Sequence, residues 1–187
     1  MISAAEVLRR QWRDSGDRLS RRLEGLTDAE HYWKPAPSCW TVRPNASVPG
    51  KWEIDYDWPP PEPAPLTTIA WRVVHLANGN WIYWEHAFGP GERMFPDLEI
   101  PGTADGARSY WRDSREPISA WLAGATDEDL RQMRPSHQGK PRTAGDMMMI
   151  LVDEQIHHGA EIALLRDLFR SLAPEGSSPA AGAGPAV

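Results

Sequence analysis

The sequence predicts an all-α fold, a four-helix bundle with long proline-rich loops between its helices. Four segments carry apolar residues at the helical period, and each is bounded by residues that favour helix ends. No segment of comparable length alternates apolar and polar residues as a half-buried strand does. The chain has 187 residues, 41% of them hydrophobic, which suits one domain with its own core. We therefore expect four amphipathic helices that bury their apolar faces against one another.

The first helical segment is predicted over residues 3–24, where Ser3 and Glu6 form a capping-box pattern at its start. Its apolar positions are sparse and charged residues stand between them, so one face of this helix is expected to meet water. Residues 28–66 follow, with five prolines between positions 59 and 65. That composition predicts an irregular or polyproline-like strap before the next helix.

The second and third helical segments have different boundary signals. The second is predicted over residues 67–88, with Thr67 as its N-cap and Gly89 at its end. The third is predicted over residues 104–123 and contains Pro117. Because proline cannot donate a backbone hydrogen bond, we expect a kink or a break at that position.

The fourth helical segment is predicted over residues 144–172, and Thr143 with Asp146 forms a second capping pattern at its start. Residues 1–172 are therefore assigned to one helical domain. Residues 173–187 are rich in proline, glycine, alanine and serine, a composition that predicts a disordered C-terminal tail.

Two short stretches of the chain are similar to each other in sequence. Residues 23–28 read Leu-Glu-Gly-Leu-Thr-Asp, and residues 122–127 read Leu-Ala-Gly-Ala-Thr-Asp. Each stretch would end a helix and then cap a short extra turn. Two interpretations stay open: two pseudo-equivalent helix pairs, or common capping chemistry that occurs twice.

Charge and composition exclude several classes of partner. The formal net charge is −6 without a cluster of Lys or Arg, which argues against nucleic acid. No apolar run is long enough to span a membrane, and the charged N-terminal stretch does not resemble a signal peptide. The single cysteine, Cys39, permits no internal disulfide, as is usual in a reducing cytoplasm. We expect a soluble cytoplasmic protein that binds a small molecule, with a homodimer as one alternative for its oligomeric state.

Glu154 and His158 form the most informative pair in the chain. They are separated by one helical turn, so their side chains can converge on one ion. On a helical projection both fall within roughly 40° of the most apolar face of their helix. That face carries Met147, Leu151, Ile162, Leu165, Phe169 and Leu172. Because burial of an unpaired carboxylate is costly, we expect the pair to be hydrogen-bonded or bound to a metal.

A third ligand has to come from another helix, and His75 in the second segment is the best candidate. Glu161 lies near the same face as the pair and could join or replace Glu154. His157 is a candidate catalytic residue, as a hydrogen-bond donor beside the ligands or as a proton carrier. The structural alternative is a buried hydrogen bond between Glu154 and His158 that holds the helices in register.

Other chemistry is poorly supported by the sequence. Residues 154–157 match the Glu-x-x-His pattern of di-iron bundles, but those need a second copy on another helix, and the chain has none. His31 and His137 are expected in loops, where solvent would surround them. Cys39 has no neighbour in the sequence that would lower the pKa of its thiol, so nothing singles it out as a nucleophile.

Three stretches of the chain resemble the DinB-like superfamily, which includes the mycothiol-dependent maleylpyruvate isomerases and the bacillithiol transferases. They are IAWRVVH at 69–75, HYWKPAPSCWTV at 31–42 and DEQIHHGAEIALLRDL at 153–168. The resemblance covers most of residues 1–172. It implies a four-helix bundle in which a divalent metal is held by one residue of the second helix and two of the last.

Compared position by position, the resemblance implies that His75, Glu154 and His158 are the metal ligands. Many members have His at all three places, whereas the isomerase branch has His, Glu and His, the set found in this chain. Two His and one carboxylate leave open coordination positions and suit Zn²⁺ first, with Ni²⁺ or Fe²⁺ as alternatives. Such a metal lowers the pKa of a bound thiol or water and so creates a nucleophile.

The activity that the resemblance implies is a metal-dependent transferase or isomerase reaction on a small electrophile. A low-molecular-weight thiol would be the co-substrate, and its sulfur would attack the electrophilic carbon. Two alternatives stay open. One is a non-catalytic bundle that binds a metal or an apolar ligand, and the other is metal-assisted hydrolysis, which would need no thiol.

Overall fold

The structure, a computed structural model, describes residues 2–172 and consists mainly of helices. The long helices are α1 (Ala4–Leu23), α3 (Ile69–Phe88), α4 (Ala104–Gly124) and α6 (Ala144–Leu172). The short helices are α2 (Asp28–His31) and α5 (Asp127–Arg131), and a 3₁₀ turn covers Phe95–Asp97. The prediction of an all-α fold is confirmed. The predicted tail, residues 173–187, lies outside the described residues.

The long helices pack against each other through two apolar clusters. Helix α1 contacts α6 and α4, and helix α3 contacts α4 and α6. The larger cluster includes Leu19, Val73, Trp111 and Ile162, one from each long helix. The smaller cluster includes Trp12, Ile118, Leu122, Met148 and Leu151. The amphipathic faces that the sequence predicts are therefore buried against one another.

Within residues 2–172, six short strands of two or three residues each lie outside the helices. They are β1 (Cys39–Trp40), β2 (Val42–Pro44), β3 (Trp52–Ile54), β4 (Leu66–Thr67), β5 (Met133–Arg134) and β6 (Arg142–Thr143). Strands β2 and β3 form an antiparallel hairpin in which Val42 pairs with Ile54. Strand β1 pairs with β4 in parallel, and β5 with β6 in antiparallel. The region 28–66 is thus partly ordered by backbone pairing, which its proline content conceals.

The N-cap of α3 differs from its prediction by one residue. Thr68, not Thr67, is the N-cap, because its Oγ1 accepts a hydrogen bond of 3.2 Å from the backbone N–H of Trp71. Thr67 lies in β4 and pairs with Trp40. The pairing holds the chain extended at Thr67, so the helix cannot begin before Thr68. The predicted cap at Thr67 is therefore wrong.

Two other local predictions need correction. Helix α4 runs through Pro117 without a break, so of the two predicted outcomes, a kink or a break, the break does not occur. At the start of α1, the Oγ of Ser3 accepts from the N–H of Glu6 at 3.2 Å. The carboxylate of Glu6 binds Arg9 and Arg10 instead of returning to Ser3, so only half of the capping box forms.

The two similar stretches, residues 23–28 and 122–127, make equivalent hydrogen bonds to the other half of the chain. Oδ1 of Asp28 accepts a hydrogen bond of 2.7 Å from the N–H of Ala104, at the start of α4. Oδ1 of Asp127 accepts one of 2.9 Å from the N–H of Ala5, at the start of α1. Ala5 and Ala104 are 99 positions apart, as are Asp28 and Asp127. Each short helix thus satisfies the first turn of the long helix of the other half.

A second pair of contacts obeys the same relation. The Nε of Arg9 donates to the carbonyl of Leu122 at 2.7 Å, and an Nη of Arg108 donates to the carbonyl of Leu23 at 3.4 Å. Arg9 and Arg108 are again 99 positions apart, as are Leu23 and Leu122. Local capping chemistry alone does not produce matching long-range contacts. This favours two pseudo-equivalent pairs of helices.

Polar residues occupy core positions that the apolar pattern does not reveal. Leu172, placed on the buried face by its spacing, is 67% exposed at the end of α6. Arg166 is buried instead, and its guanidinium binds the carboxylate of Glu30, which is fully buried. His31, expected in solvent, is also fully buried. The carboxylate of Glu30, on α2, is the partner that allows the Arg166 guanidinium to be buried.

Between residues 2 and 172, none of the helices has the combination of length and apolar character that crossing a bilayer requires.

Candidate metal centre

The three predicted ligands meet where α3 packs against α6. Nε2 of His75, on α3, lies 3.1 Å from Oε2 of Glu154, on α6. Nε2 of His158, one turn further along α6, lies 3.1 Å from the same oxygen. The three atoms all lie within 4.8 Å of one another. The structure thus brings together His75, Glu154 and His158 from two helices.

The distances between these atoms suit a small divalent cation. Bonds of about 2.0–2.1 Å in tetrahedral geometry place neighbouring ligand atoms about 3.3 Å apart. The observed separations of 3.1 Å are close to that value. Two imidazoles and a carboxylate are also a donor set that Zn²⁺, Ni²⁺ and Fe²⁺ accept. The residues present therefore fit such an ion.

Glu154 is held in its ionised form. A hydrogen bond from His158, which has the larger effect, and one from His75 keep the pKa of the Glu154 carboxyl well below its usual range. Its side chain is 38% exposed, so solvent reaches it. An ionised, accessible carboxylate is the form that binds a cation.

His158 lies between two carboxylates. Its Nδ1 is 2.6 Å from Oε2 of Glu161, and an Nη of Arg72 is 2.8 Å from the same oxygen. The Arg72 nitrogen is also 2.9 Å from Nδ1. Because the guanidinium has only donors, the consistent assignment is that Arg72 and Nδ1–H of His158 both donate to Glu161. Nε2 is then the nitrogen that can bind an ion once its proton has left.

His75 is oriented by an aromatic contact. Its ring stacks on the indole of Trp71, with centroids 4.5 Å apart and planes inclined by 11°. Nε1–H of Trp71 donates to the carbonyl of Asp55 at 2.6 Å. The His75 and His158 rings are nearly perpendicular, at 87°. The two imidazoles are thus held by different means, His75 by stacking and His158 by a hydrogen bond.

His157 occupies a different place from the three ligands. Its side chain is 57% exposed, its ring stacks on that of His158, and its Nε2 is 3.2 Å from Oε1 of Glu161. The structure does not bring it to His75 or Glu154. His157, His158 and Glu161 form a second group with metal-ligand atoms in mutual reach. The guanidinium of Arg72 already binds Glu161 there, and its positive charge opposes a cation.

A cavity of about 660 Å³ opens beside His75. We call it the hairpin cavity, because it lies between the β2–β3 hairpin, residues 95–100 and α3. Its lining consists of Asn45, Gly50, Lys51, Trp52, Glu53, Ile54, Tyr56, His75, Asn78, Phe95, Pro96, Leu98, Glu99 and Ile100. Its size is in the usual range for small-molecule sites. His75 therefore belongs both to the ligand cluster and to the cavity wall.

Three residues near the cluster were not predicted from the sequence, although one of them, Trp71, has a spacing that could have indicated its role. Trp71 precedes His75 by one helical turn, and a stacking partner at that spacing is a detectable signal. Arg72 precedes His75 by three positions and gives no such signal, because its contact with Glu161 depends on the packing of α3 against α6. Asn78 faces the cavity only because the distant hairpin covers that side of α3.

Comparison with known proteins adds one finding. The sequence profile of the DinB superfamily matches residues 49–162, a range that contains His75, Glu154 and His158. Among curated proteins, none is similar enough in sequence to count as a match.

Proposed function

The chain belongs to the DinB superfamily, and from that premise we propose that it is a metal-dependent enzyme that activates a low-molecular-weight thiol. The reaction would be a transfer or an isomerisation in which the thiol sulfur attacks a small electrophile. His75, Glu154 and His158 would hold the ion, with Zn²⁺ preferred over Ni²⁺ or Fe²⁺. When bound, the ion supplies the positive charge that lowers the pKa of a thiol or of water.

One observation carries the proposal. Three ligand atoms from two helices converge within 4.8 Å, and one of the three residues, His75, also lines a cavity of about 660 Å³. A purely structural cluster needs no adjoining space. A reacting centre needs room for two molecules beside the ligands, and the hairpin cavity provides it.

The surrounding residues support distinct roles. Glu161 accepts from Nδ1–H of His158 and so selects the tautomer that leaves Nε2 for the ion. Arg72 holds Glu161 in place and keeps it from competing as a ligand. His157 is exposed and reaches the other oxygen of Glu161, so it can pass a proton between this carboxylate and solvent.

The metal part of the proposal is tested by elemental analysis of protein purified without a nickel column or chelator. We expect about one equivalent of metal per chain in the wild type, and its loss in His158→Ala. The matched control is His86→Ala, because His86 also lies on α3 but contacts the carbonyl of Arg93, outside the cluster. Circular dichroism has to show that both variants stay helical. A wild type that takes up neither Zn²⁺ nor Ni²⁺ would sink the three-ligand assignment.

The catalytic part needs a separate measurement. Metal-loaded protein is mixed with a low-molecular-weight thiol and a panel of electrophiles, and consumption of the free thiol is followed over time. We expect turnover by the wild type that chelator removes and added metal restores. Bound metal without turnover of any electrophile would support the non-catalytic alternative, and turnover without thiol would support hydrolysis.

A further inference from the structure

We propose that the hairpin cavity selects an uncharged electrophile with an apolar, aromatic body and a carbonyl oxygen, and that Asn78 donates the hydrogen bond that positions this oxygen. This inference rests on the proposed function, since it names the substrate class of the same centre. It concerns a polar group that takes no part in holding the metal.

Asn78 is placed one turn beyond the metal ligand of the same helix. His75 and Asn78 are three positions apart on α3, so they share a face, and both line the hairpin cavity. Asn78 is only 4% exposed. Its Oδ1 accepts a hydrogen bond of 2.9 Å from the hydroxyl of Tyr110. Among residues 2–172 no group accepts a hydrogen bond from its Nδ2, and this atom is not fully enclosed, so a molecule in the hairpin cavity can reach it.

Tyr110 determines which end of the amide faces the cavity. Burial raises the pKa of the Tyr110 phenol well above its ordinary value, so this group keeps its proton and can donate it. With Oδ1 of Asn78 engaged by Tyr110, the amide N–H groups are the free end. A ligand that contacts Asn78 therefore has to bring an acceptor, and a carbonyl oxygen is the simplest one.

The walls of the hairpin cavity specify the rest of the ligand. Trp52, Tyr56 and Phe95 present aromatic rings, and Ile54 adds an aliphatic surface. Rings and branched aliphatic groups bind a planar or apolar body through burial and offset stacking. Gly102 lies directly against the ring of Trp52, since a Cβ at position 102 would come within 1.9 Å of that ring. This side of the cavity is thus a packed surface.

The charges around the hairpin cavity do not favour an anion. Lys51 is the one cationic side chain among its lining residues, against the carboxylates of Glu53 and Glu99. Glu53 is bound by Arg43 and by Nδ2 of Asn45, the latter at 2.6 Å. Because Arg43 offsets the charge of Glu53, the cavity wall has no surplus of positive side chains, and a carboxylate substrate would lose its hydration there without compensation from the wall. An uncharged carbonyl compound avoids that cost.

The chemistry of such a substrate is consistent with attack by sulfur. For an α,β-unsaturated ketone, a bond forms between the sulfur and the β-carbon, and the electron pair of the C=C bond moves toward the carbonyl. The α-carbon then takes up one proton, equal in number to the proton that the thiol released. Negative charge develops on the carbonyl oxygen in the transition state, where the N–H of Asn78 would stabilise it.

The test compares three probes with the same aromatic body, on the full chain with and without Zn²⁺. Benzylideneacetone is an uncharged ketone, cinnamate is a carboxylate, and β-methylstyrene has no oxygen. Dissociation constants are measured by ligand-observed NMR. We expect benzylideneacetone to bind roughly tenfold or more tightly than either of the others, as a hydrogen bond to a buried donor predicts.

Asn78→Asp identifies the donor, since it removes both N–H groups without changing the size of the side chain. We expect it to weaken benzylideneacetone binding roughly tenfold or more and to leave the metal content unchanged. Asn78→Leu separates the two effects of that change, because it also lacks the N–H groups but adds no negative charge. If Asn78→Asp fails to fold, Tyr110→Phe replaces it and should weaken the same probe severalfold by releasing the amide.

The outcomes test the substrate assignment and the metal site separately. Equal or tighter binding of cinnamate, wild-type affinity in a folded Asn78→Asp, or no binding of any probe would overturn the substrate assignment. None of these results bears on the metal content, which elemental analysis measures alone. Conversely, a protein that binds benzylideneacetone selectively but takes up no metal would support the proposed selectivity of the cavity and contradict the proposed metal-dependent catalysis.

Discussion

The imidazole of His75 lies flat against the indole of Trp71, with ring centroids 4.5 Å apart and an angle of 11° between the planes. Trp71 is 5% exposed and donates its Nε1–H to the backbone carbonyl of Asp55, directly after the β2–β3 hairpin. The proline-rich region before α3 therefore influences the orientation of a candidate ligand through a single side chain. This relationship leads to the first prediction.

Replacement of Trp71 should weaken metal binding, and more so the less aromatic surface the new side chain offers to the ring of His75. Trp71→Leu frees the His75 ring to rotate, and we expect the dissociation constant for Zn²⁺ to rise roughly tenfold or more, as for other residues that orient a ligand. Trp71→Phe keeps an aromatic face and should have a smaller effect. Competition with a chromophoric chelator measures both constants. Identical affinities in Trp71→Leu and the wild type would show that stacking does not orient His75.

The second prediction concerns Glu161, which accepts hydrogen bonds from His158 and Arg72. Glu161→Gln removes the charge that holds the Nδ1 proton of His158, so Zn²⁺ affinity should fall roughly 10- to 100-fold. Asp153→Asn is the matched control, because it removes one negative charge from the exposed side of the same helix. The same chelator competition applies to both variants. Equal losses in the two would mean that Glu161 acts only through its long-range charge.

The candidate site could be predicted on α6 because helical geometry alone relates its residues. Glu154 and His158 are one turn apart on the apolar face, and no tertiary contact is needed to bring their side chains together. His75 is different. Its helix is apolar on nearly all sides, so periodicity does not reveal which side faces α6, and the family resemblance gave this candidate its main support.

The residues that were missed depend on contacts between distant parts of the chain. Strand pairing moves the start of α3 from Thr67 to Thr68, and pairing partners 27 positions away are not visible in a local pattern. His31, on α2, and Arg166, which binds Glu30 of α2, are both buried, although Arg is usually found at the surface. Local propensity therefore predicts the helices, whereas their ends and the polar core require the tertiary structure.

The third prediction tests the buried ion pair of Glu30 and Arg166. The guanidinium donates to both oxygens of Glu30, at 3.0 and 2.9 Å, and also to the carbonyls of Arg22 and Glu24. Glu30→Ala leaves the Arg166 charge buried without its partner, so the free energy of unfolding should fall by about 3–5 kcal/mol. Urea denaturation followed by circular dichroism measures this change.

An exposed ion pair provides the control for that experiment. Glu128 and Arg131 form one on α5, with side chains that are 79% and 69% exposed. Glu128→Ala should change the free energy of unfolding by less than about 1 kcal/mol, because solvent screens this pair. A loss in Glu30→Ala no larger than that would indicate that water reaches Arg166 when its partner is removed.

The fourth prediction is a pH dependence of stability due to His31. Burial lowers the pKa of the His31 imidazole to about 4, from an ordinary value of 6.5, and its ring nitrogens have no hydrogen-bond partner among residues 2–172. Between these values the unfolded chain binds a proton that the folded chain does not. The contribution of His31 to the free energy of unfolding is therefore complete above pH 6.5. It is lost as the pH falls toward 4, by up to about 3 kcal/mol.

The measurement compares the wild type with His31→Leu, which has no proton to gain at this position. Urea denaturation at several pH values gives the free energy of unfolding of each protein, and carboxylates titrate alike in both. Their difference should change by roughly 1.4 kcal/mol per pH unit at its steepest, with the wild type losing stability faster as acid is added. A difference that stays constant between pH 4 and 6.5 would show that the folded protein accepts the proton at His31, which would require the α2 turn to open toward water.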